Sequence, residues 1–154
     1  MVKQSAGILL YRCINKSLEV FLVHPGGPYW RNKDVEAWSI PKGEFTNEEN
    51  ALDAAIREFK EETGTHIIGE FIGLSPVKLK SGKIVYAWAL EGDIDVSSFK
   101  CETFINIEWP PRTGKILSIP EVDKGEWFST DAAKKKINPS QAALIDELIK
   151  KKSV

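Results

Sequence analysis

The stretch that decides the fold runs from Gly43 to Gly64 and reads GEFTNEENALDAAIREFKEETG. Its apolar residues recur at the spacing of one helical face, and they are Leu52, Ala55, Ile56 and Phe59. Thr46 followed by Glu49 has the form of a capping box. We therefore predict a helix that begins at Thr46 and ends near Thr63, with Gly64 as its left-handed terminating residue.

Three glutamates of this helix, Glu58, Glu61 and Glu62, lie at positions i, i+3 and i+4 and so share one face. Like charges at this spacing repel, and the negative end of the helix dipole disfavours each by about 0.3–1 kcal/mol. A hard divalent cation such as Mg²⁺ binds carboxylate oxygens and shares its ligands with substrate phosphates. The face therefore suggests a metal platform. The alternative is a solvated acidic face that Arg57, Lys60 and salt relieve.

The rest of the chain has mainly the pattern of strands. The predicted strands are 4–13, 18–24, 38–41, 67–74, 77–80, 83–90 and 102–109. Residues 14–17 and Ser81-Gly82 have the composition of hairpin turns. Asn138 and Pro139 predict the start of a second helix, which carries an apolar face and closes the domain. The segment 25–36 is predicted to be an irregular loop. Substrate specificity is expected in this loop and in the segment 109–124.

The acidic stretch resembles the signature of the Nudix (MutT-like) hydrolase family, G-x5-E-x7-R-E-U-x-E-E-x-G-U, where U is apolar. The matching residues are Gly43, Glu49, Arg57, Glu58, Phe59, Glu61, Glu62 and Gly64. Thr65 departs from the pattern, which prefers an aliphatic residue, and Ile67 or Ile68 is expected to fill the gap in packing. The resemblance implies the family's α/β/α sandwich, an α/β fold built on a mixed β-sheet.

The resemblance also implies an activity, the Mg²⁺-dependent attack of water on phosphorus in a nucleoside diphosphate linked to another group. Mn²⁺ is an alternative ion. Shorter matches at residues 5–7, 38–43 and 83–86 are similar to the dinucleoside tetraphosphate hydrolase branch, which favours a small nucleotide such as diadenosine tetraphosphate as the substrate. A nucleoside triphosphate, ADP-ribose and a non-catalytic nucleotide-binding regulatory module are the alternatives.

By the same resemblance, Glu58, Glu61 and Glu62 are expected to be metal ligands and catalytic groups. The backbone carbonyl of Lys42 or Gly43 is expected to add a ligand. Phosphoryl transfer also needs a group that accepts a proton from the attacking water, and this group is Glu58 or another nearby glutamate. Sequence alone does not separate the ligand from the base.

Two further charged residues are expected to complete the site. Arg57 is assigned a supporting role in catalysis, pairing with Glu49 or a neighbouring carboxylate, since arginine forms bidentate pairs. Glu121 stands six residues before a tryptophan, a spacing similar to that at which family members carry a further metal-binding carboxylate. Asp123 and Glu126 are the alternatives to Glu121.

Substrate contacts are expected from aromatic rings, which stack on nucleobases, and from basic side chains that meet phosphate oxygens. The candidates are Tyr29, Trp30, Tyr86 and Trp109 for the base, and Lys42, Lys83 and the loop that contains Arg112 and Lys115 for the phosphates. The alternative for each lysine is an ordinary surface charge. His24 and His66 show no partner pattern for a metal or a catalytic dyad, so we predict that they are structural or surface residues.

The composition is that of a globular protein without a strong charge bias. The chain has 154 residues, 21 Lys+Arg against 22 Asp+Glu and a net charge of -1, which predicts a single domain over residues 1–154 and no stable nucleic-acid partner. No apolar run reaches the roughly 18 residues that suggest a membrane helix. Cys13 and Cys101 form no CxxC pair. We therefore expect a cytoplasmic protein with no membrane partner and two reduced, buried thiols.

Overall fold

A mixed β-sheet with helices on both faces forms the body of the protein in the computed structural model, which describes residues 3–152. The strands are β1 (Gln4–Ile14), β2 (Ser17–Pro25), β3 (Lys42–Glu44), β4 (Ile72–Gly73), β5 (Val77–Lys78), β6 (Ile84–Glu91), β7 (Phe104–Glu108), β8 (Ile116–Pro120) and β9 (Val122–Ser129). The helices are α1 (Ala51–Thr63), α2 (Thr130–Lys136) and α3 (Ala142–Lys152), with short 3-10 turns at Val96–Ser98 and Pro139–Gln141.

The main sheet has the strand order β4-β6-β1-β2-β9, and β3 also pairs with β1 while β5 pairs with β6. β1 and β6 run parallel, from Gln4 beside Ile84 to Tyr11 beside Glu91. The other pairs are antiparallel. β7 and β8 form a separate two-stranded sheet. The mixed sheet that the sequence predicts is therefore confirmed.

Strand β1 is buried on both faces, which explains its nearly unbroken apolar sequence. Leu9 packs in one cluster with Ala133 of α2 and Leu144 of α3. Ile8 packs in a second cluster with Phe59 of α1. Because successive strand residues point to opposite faces, α1 covers one side of the sheet and α2 and α3 cover the other. This arrangement confirms the predicted α/β/α sandwich.

Helix α1 begins later than the sequence predicts. Asn50 is its N-cap, and the side-chain oxygen of Asn50 accepts two backbone N–H bonds from the first turn, at 3.0 and 3.2 Å. Thr46 is part of a preceding turn, because the Glu49 carboxylate that a capping box requires is bound by Arg57 instead. The end of the helix agrees with the prediction, since Gly64 has a left-handed φ of 81°.

The strand predictions are confirmed at the hairpins and wrong at the short segments. The β1–β2 and β5–β6 hairpins lie where the turn residues predict them. Trp38 and Ser39 make only isolated bridges, and the strand expected there begins at Lys42. The strand expected over 67–74 is reduced to β4, and Ile68 is 80% exposed. β9 and α2 were not predicted, because their sequences contain few apolar residues and so show no clear periodicity of apolar positions.

The closing helix expected from Asn138 and Pro139 is present, with Asn138 capping the 3-10 turn that leads into α3. Within residues 3–152, no helix combines the length and the apolar character needed to cross a membrane. Both cysteines are free thiols, but Cys13 at the end of β1 is exposed and Cys101 is only partly covered, so the prediction of buried thiols is wrong.

Candidate active site

Strand β3 places Gly43 directly against the acidic face of α1. It does so by pairing with β1, where Ala6 lies beside Gly43. A Cβ atom added at Gly43 would stand 2.0 Å from the carboxyl carbon of Glu58. The backbone N–H of Lys42 donates to Glu62 Oε1 at 3.3 Å. Only a glycine at position 43 therefore lets this strand approach the glutamates so closely.

The glutamates of this face are largely removed from water, since Glu58 is 8% exposed and Glu62 is 5% exposed. Burial is the main reason that the pKa of Glu58 is raised above its usual range, and Arg57 opposes the shift. Burial also raises the pKa of Glu62 to about 8, with Lys42 opposing the shift and the charges of Glu58 and Glu121 adding to it. Glu121 lies between β8 and β9, so the fold brings it within electrostatic range of both α1 carboxylates.

A cavity of about 170 Å³ opens beside these carboxylates. Glu62, Glu121 and Lys42 line its polar part. Pro25, Ser39 and Ile40 are among the residues of the other walls. The cavity thus joins residues from α1, the β8–β9 turn, β3 and the end of β2. It presents opposite charges within one concave space, as a site for a phosphate-bearing ligand and its cation requires.

Arg57 organises the acidic face. Its Nε and Nη2 atoms donate to the two carboxylate oxygens of Glu49, both at 2.8 Å. Its Nη1 atom donates to Glu58 at 2.8 Å and to Glu61 at 3.1 Å. Glu61 is thereby held beside Glu58, as the helical spacing predicts. The predicted bidentate pairing of Arg57 with Glu49 is confirmed.

The donor chemistry of this face fits a hard divalent cation. Carboxylate and carbonyl oxygens are the ligands that Mg²⁺ and Mn²⁺ take. A cation would offset both the burial and the mutual repulsion that raise the pKa of Glu58 and Glu62. Within residues 3–152, however, no three His, Cys, Asp or Glu side chains already form a complete metal-binding group, and Arg57 occupies oxygens of Glu58 and Glu61.

Two lysines named from the sequence as phosphate contacts, Lys42 and Lys83, lie within electrostatic range of each other. Lys42 lines the cavity, and burial lowers the pKa of its ammonium while the nearby charge of Glu62 opposes that shift. Lys83 is within electrostatic range of Lys42, and its Nζ stands 3.5 Å from Glu44 Oε2. The structure therefore places Lys42 in the carboxylate cavity and Lys83 within electrostatic range of Lys42.

The other predicted substrate contacts lie further out. Tyr86 packs against Phe45, with ring centroids 6.2 Å apart. Tyr29 is 57% exposed on the loop that follows β2. Arg112 occupies the tip of the β7–β8 hairpin, where its backbone N–H donates to Glu108 at 2.9 Å. Among the residues that the structure describes, Tyr86, Tyr29 and Arg112 are not part of the lining of the carboxylate cavity.

His24, predicted from the sequence to be a structural or surface residue, is a buried structural residue with two polar partners. Its side chain is 3% exposed at the end of β2. Nδ1 stands 3.0 Å from Asp123 Oδ1, and Nε2 donates to the carbonyl oxygen of Lys33 at 2.6 Å. The sequence feature that could have indicated these contacts is the position of His24 directly before the turn-forming sequence Pro-Gly-Gly-Pro.

The comparison with known families agrees with this geometry. The family model described as NUDIX domain matches residues 1–148. The chain belongs to the Nudix family. The family match and the intact charged and glycine residues of the Nudix signature support a Nudix pyrophosphohydrolase.

Several solved Nudix structures share the fold at low sequence identity. The NUDIX domain of Shewanella oneidensis NrtR, complexed with ADP ribose, has a TM-score of 0.69 at 14% identity, covering 99% of this chain and 90% of that chain. A binary complex of Caenorhabditis elegans Ap4A hydrolase has a TM-score of 0.63 at 21% identity, covering 94% of each chain. A mutT/nudix family protein from Listeria innocua has a TM-score of 0.61 at 16% identity, covering 97% of this chain and 92% of that chain.

The raised pKa of Glu62 predicts how the metal-free Nudix protein responds to pH. The folded protein holds the Glu62 proton more tightly than the unfolded chain, whose glutamates titrate near 4.5. The contribution of this proton to the free energy of unfolding is fully present below the unfolded pKa. It is lost as pH rises through about 8. We therefore expect the midpoint temperature of unfolding of the Glu62→Gln variant to rise relative to that of the wild type as pH rises. Thermal unfolding in chelator, from about pH 5 to about pH 9, measures this difference.

Saturating Mg²⁺ is the control for this measurement. A cation that binds the folded wild type raises its stability and so reduces the difference in unfolding midpoint between the wild type and Glu62→Gln. A difference between the two proteins that stays constant across the pH range would contradict the raised pKa of Glu62.

Proposed function

We propose that the protein hydrolyses a phosphoanhydride bond of a dinucleoside polyphosphate such as diadenosine tetraphosphate, as a single domain that uses Mg²⁺ or Mn²⁺. The observation that carries the proposal is one cavity in which Glu62 and Glu121 lie with Lys42, while Glu58 stands within electrostatic range. Acidic groups there suit a cation, and the lysine suits the phosphate oxygens.

The proposed metal ligands are the side chains of Glu58, Glu61, Glu62 and Glu121 and the backbone carbonyl of Gly43 or Lys42. A divalent cation held there supplies neutralisation of phosphate oxygens and acidification of the attacking water. Arg57 keeps Glu58 and Glu61 on one side of the site through the bonds described above. The protein thus holds the acidic groups in place before the substrate arrives, which is the main contribution a protein makes to phosphoryl transfer.

The reaction adds water across a P–O–P bond. The oxygen of the water bonds to phosphorus. As it does so, Glu58 or another glutamate of the same cluster accepts one proton from the water. The bond from that phosphorus to the bridging oxygen breaks, and the departing phosphate carries the negative charge. Lys42 lines the cavity and Lys83 lies within its electrostatic range, which supports both as the groups that bind phosphate oxygens of the substrate.

Two lysines within electrostatic range of each other, Lys42 and Lys83, favour a substrate with a chain of several phosphates over one with a single phosphate group. The exposed ring of Tyr29 offers a face on which a nucleobase can stack. Likeness in fold to Ap4A hydrolase of Caenorhabditis elegans is compatible with this choice. ADP-ribose is the second candidate, because a fold neighbour was solved with it. A cytoplasmic location and the lack of a stable nucleic-acid partner stay predictions.

A substrate panel tests the proposed function. It contains diadenosine tetraphosphate, ADP-ribose, nucleoside triphosphates and 5′-triphosphate RNA, each with Mg²⁺, and the products are separated chromatographically. We expect the highest kcat/KM for diadenosine tetraphosphate, with two nucleotide products whose phosphates sum to those of the substrate. A higher kcat/KM for ADP-ribose or a triphosphate would overturn the substrate assignment. Nucleotide binding without cleavage of any panel member would favour a regulatory module.

A further inference from the structure

The buried side chain of His24 joins strand β2 to the loop that follows it and to the distant strand β9. Its Nε2 donates to the backbone carbonyl of Lys33 at 2.6 Å, and its Nδ1 stands 3.0 Å from the carboxylate of Asp123 on β9. Its ring also packs edge-on against Trp38, with centroids 5.1 Å apart. We refer to His24, Lys33 and Asp123 as the His24 clamp. A buried polar ring with both nitrogens partnered fixes the orientation of everything it binds.

The loop held by this clamp forms part of the wall of the active-site cavity. It leaves β2 at Pro25 and returns to the sheet at Ser39 and Ile40, and all three residues line the cavity. Its first turn also contacts the acidic site, since the backbone N–H of Gly26 donates to the carbonyl of Glu121 at 3.0 Å. A shift of this loop would therefore change the cavity wall.

The clamp holds the loop at Lys33, directly before a second anchor at Asp34. Near its end, Trp38 Nε1 donates to Asp34 at 2.9 Å, and Asp34 is paired with Lys136 of α2. At Lys33 the backbone carbonyl binds His24. The side-chain ammonium of Lys33 lies 3.8 Å from the ring centroid of the exposed Tyr29.

One residue of the loop, Lys33, thus connects the buried clamp with an exposed aromatic ring. Its ammonium also lies 5.5 Å from the ring centroid of Trp30, and the Tyr29 and Trp30 rings pack edge-on at 5.1 Å. We refer to Tyr29, Trp30 and Lys33 as the aromatic platform. The platform combines flat rings with one cation, which are the groups that bind a nucleobase and a phosphate.

We propose that His24 is a positioning residue for nucleotide binding, acting through Lys33 to hold the aromatic platform and the cavity wall in the conformation that receives the nucleoside part of the substrate. The inference rests on the proposed function for its ligand class, a nucleotide. It assigns no proton transfer and no metal contact to His24. Its effect is therefore expected in nucleotide affinity and KM, with kcat little changed.

Paired substitutions of His24 test which contact matters. His24→Gln can still present an amide donor to Lys33 O, whereas His24→Asn has a shorter side chain and loses that contact. His66→Asn, at an exposed histidine, is the matched control. With ADP as the probe in chelator, calorimetry is expected to show Kd raised about tenfold or more by His24→Asn and within about threefold of wild type for His24→Gln and His66→Asn.

A variant of a partly exposed residue tests the His24 clamp in case the variants of the buried His24 do not fold. Asp123→Ala removes a partly exposed carboxylate, keeps the imidazole and is expected to raise Kd for ADP severalfold with an unchanged circular dichroism spectrum. With the best panel nucleotide, His24→Asn is expected to raise KM at nearly constant kcat.

Unchanged ADP affinity in both His24→Asn and Asp123→Ala would overturn the inference. A wild type that does not bind ADP would also overturn it, as would a His24→Asn variant that loses only kcat. A failure of the proposed function is separate from these outcomes. It would be seen as poor cleavage of diadenosine tetraphosphate, whereas the ADP measurement does not depend on which nucleotide is hydrolysed.

Discussion

Glu62→Gln is expected to lower kcat by at least about two orders of magnitude while the fold stays intact. Glutamine has the size of glutamate but lacks its charge, and Glu62 is the cavity-lining carboxylate that is 5% exposed and accepts the Lys42 backbone N–H. A neutral amide binds a divalent cation far more weakly than a carboxylate does. Steady-state hydrolysis of the best panel nucleotide at saturating Mg²⁺ measures the effect.

The matched control is Glu48→Gln, because Glu48 is an exposed glutamate of the same segment that lies before α1. Its kcat is expected to stay near the wild-type value. Thermal unfolding of both variants shows whether the fold is kept. Wild-type turnover by a folded Glu62→Gln variant would remove Glu62 from the catalytic site.

Gly43→Ala is the second substitution with a large expected effect. A Cβ atom at this position would lie 2.0 to 2.4 Å from the carboxyl atoms of Glu58, so the carboxylate or strand β3 must move. Because a misplacement of about 1 Å in a catalytic group can cost roughly a hundredfold in rate, we expect a loss in kcat/KM of that order. Hydrolysis assays over a range of substrate and Mg²⁺ concentrations measure it.

Gly73→Ala is the control for this substitution, since its Cβ would meet no atom closer than 3.9 Å. It adds the same methyl group to another strand and is expected to leave kcat/KM unchanged. If Gly43→Ala kept full activity, the close approach of β3 to Glu58 would have no role in the reaction.

The parts of the site that the sequence predicts are those that depend on local spacing. Glu58, Glu61 and Glu62 share a helical face whatever the rest of the fold does, and Gly64 ends that helix as expected. The burial of β1 on both faces likewise follows from its own nearly unbroken apolar sequence. The helix start was predicted wrongly because Glu49, a local capping candidate, pairs with Arg57 eight residues later.

The parts that escaped prediction depend on contacts between distant segments. Asp123 stands 99 residues from His24 in the chain and meets it only because β9 pairs with β2. Glu121 was named through a family spacing, and the residues alone left Asp123 and Glu126 as alternatives. Arg112 was named as a phosphate contact from its basic loop, but the fold places that loop at the tip of the β7–β8 hairpin.

The most direct test of the account is nucleotide hydrolysis as a function of divalent cation. The best panel nucleotide is incubated with wild-type protein in Mg²⁺, in chelator, and in chelator followed by excess Mg²⁺, with Glu62→Gln alongside. We expect hydrolysis in Mg²⁺, loss in chelator, recovery on adding Mg²⁺, and little turnover by the variant throughout. Hydrolysis that continues in chelator, or that is equal in wild type and variant, would contradict a cation-dependent reaction at the α1 carboxylates.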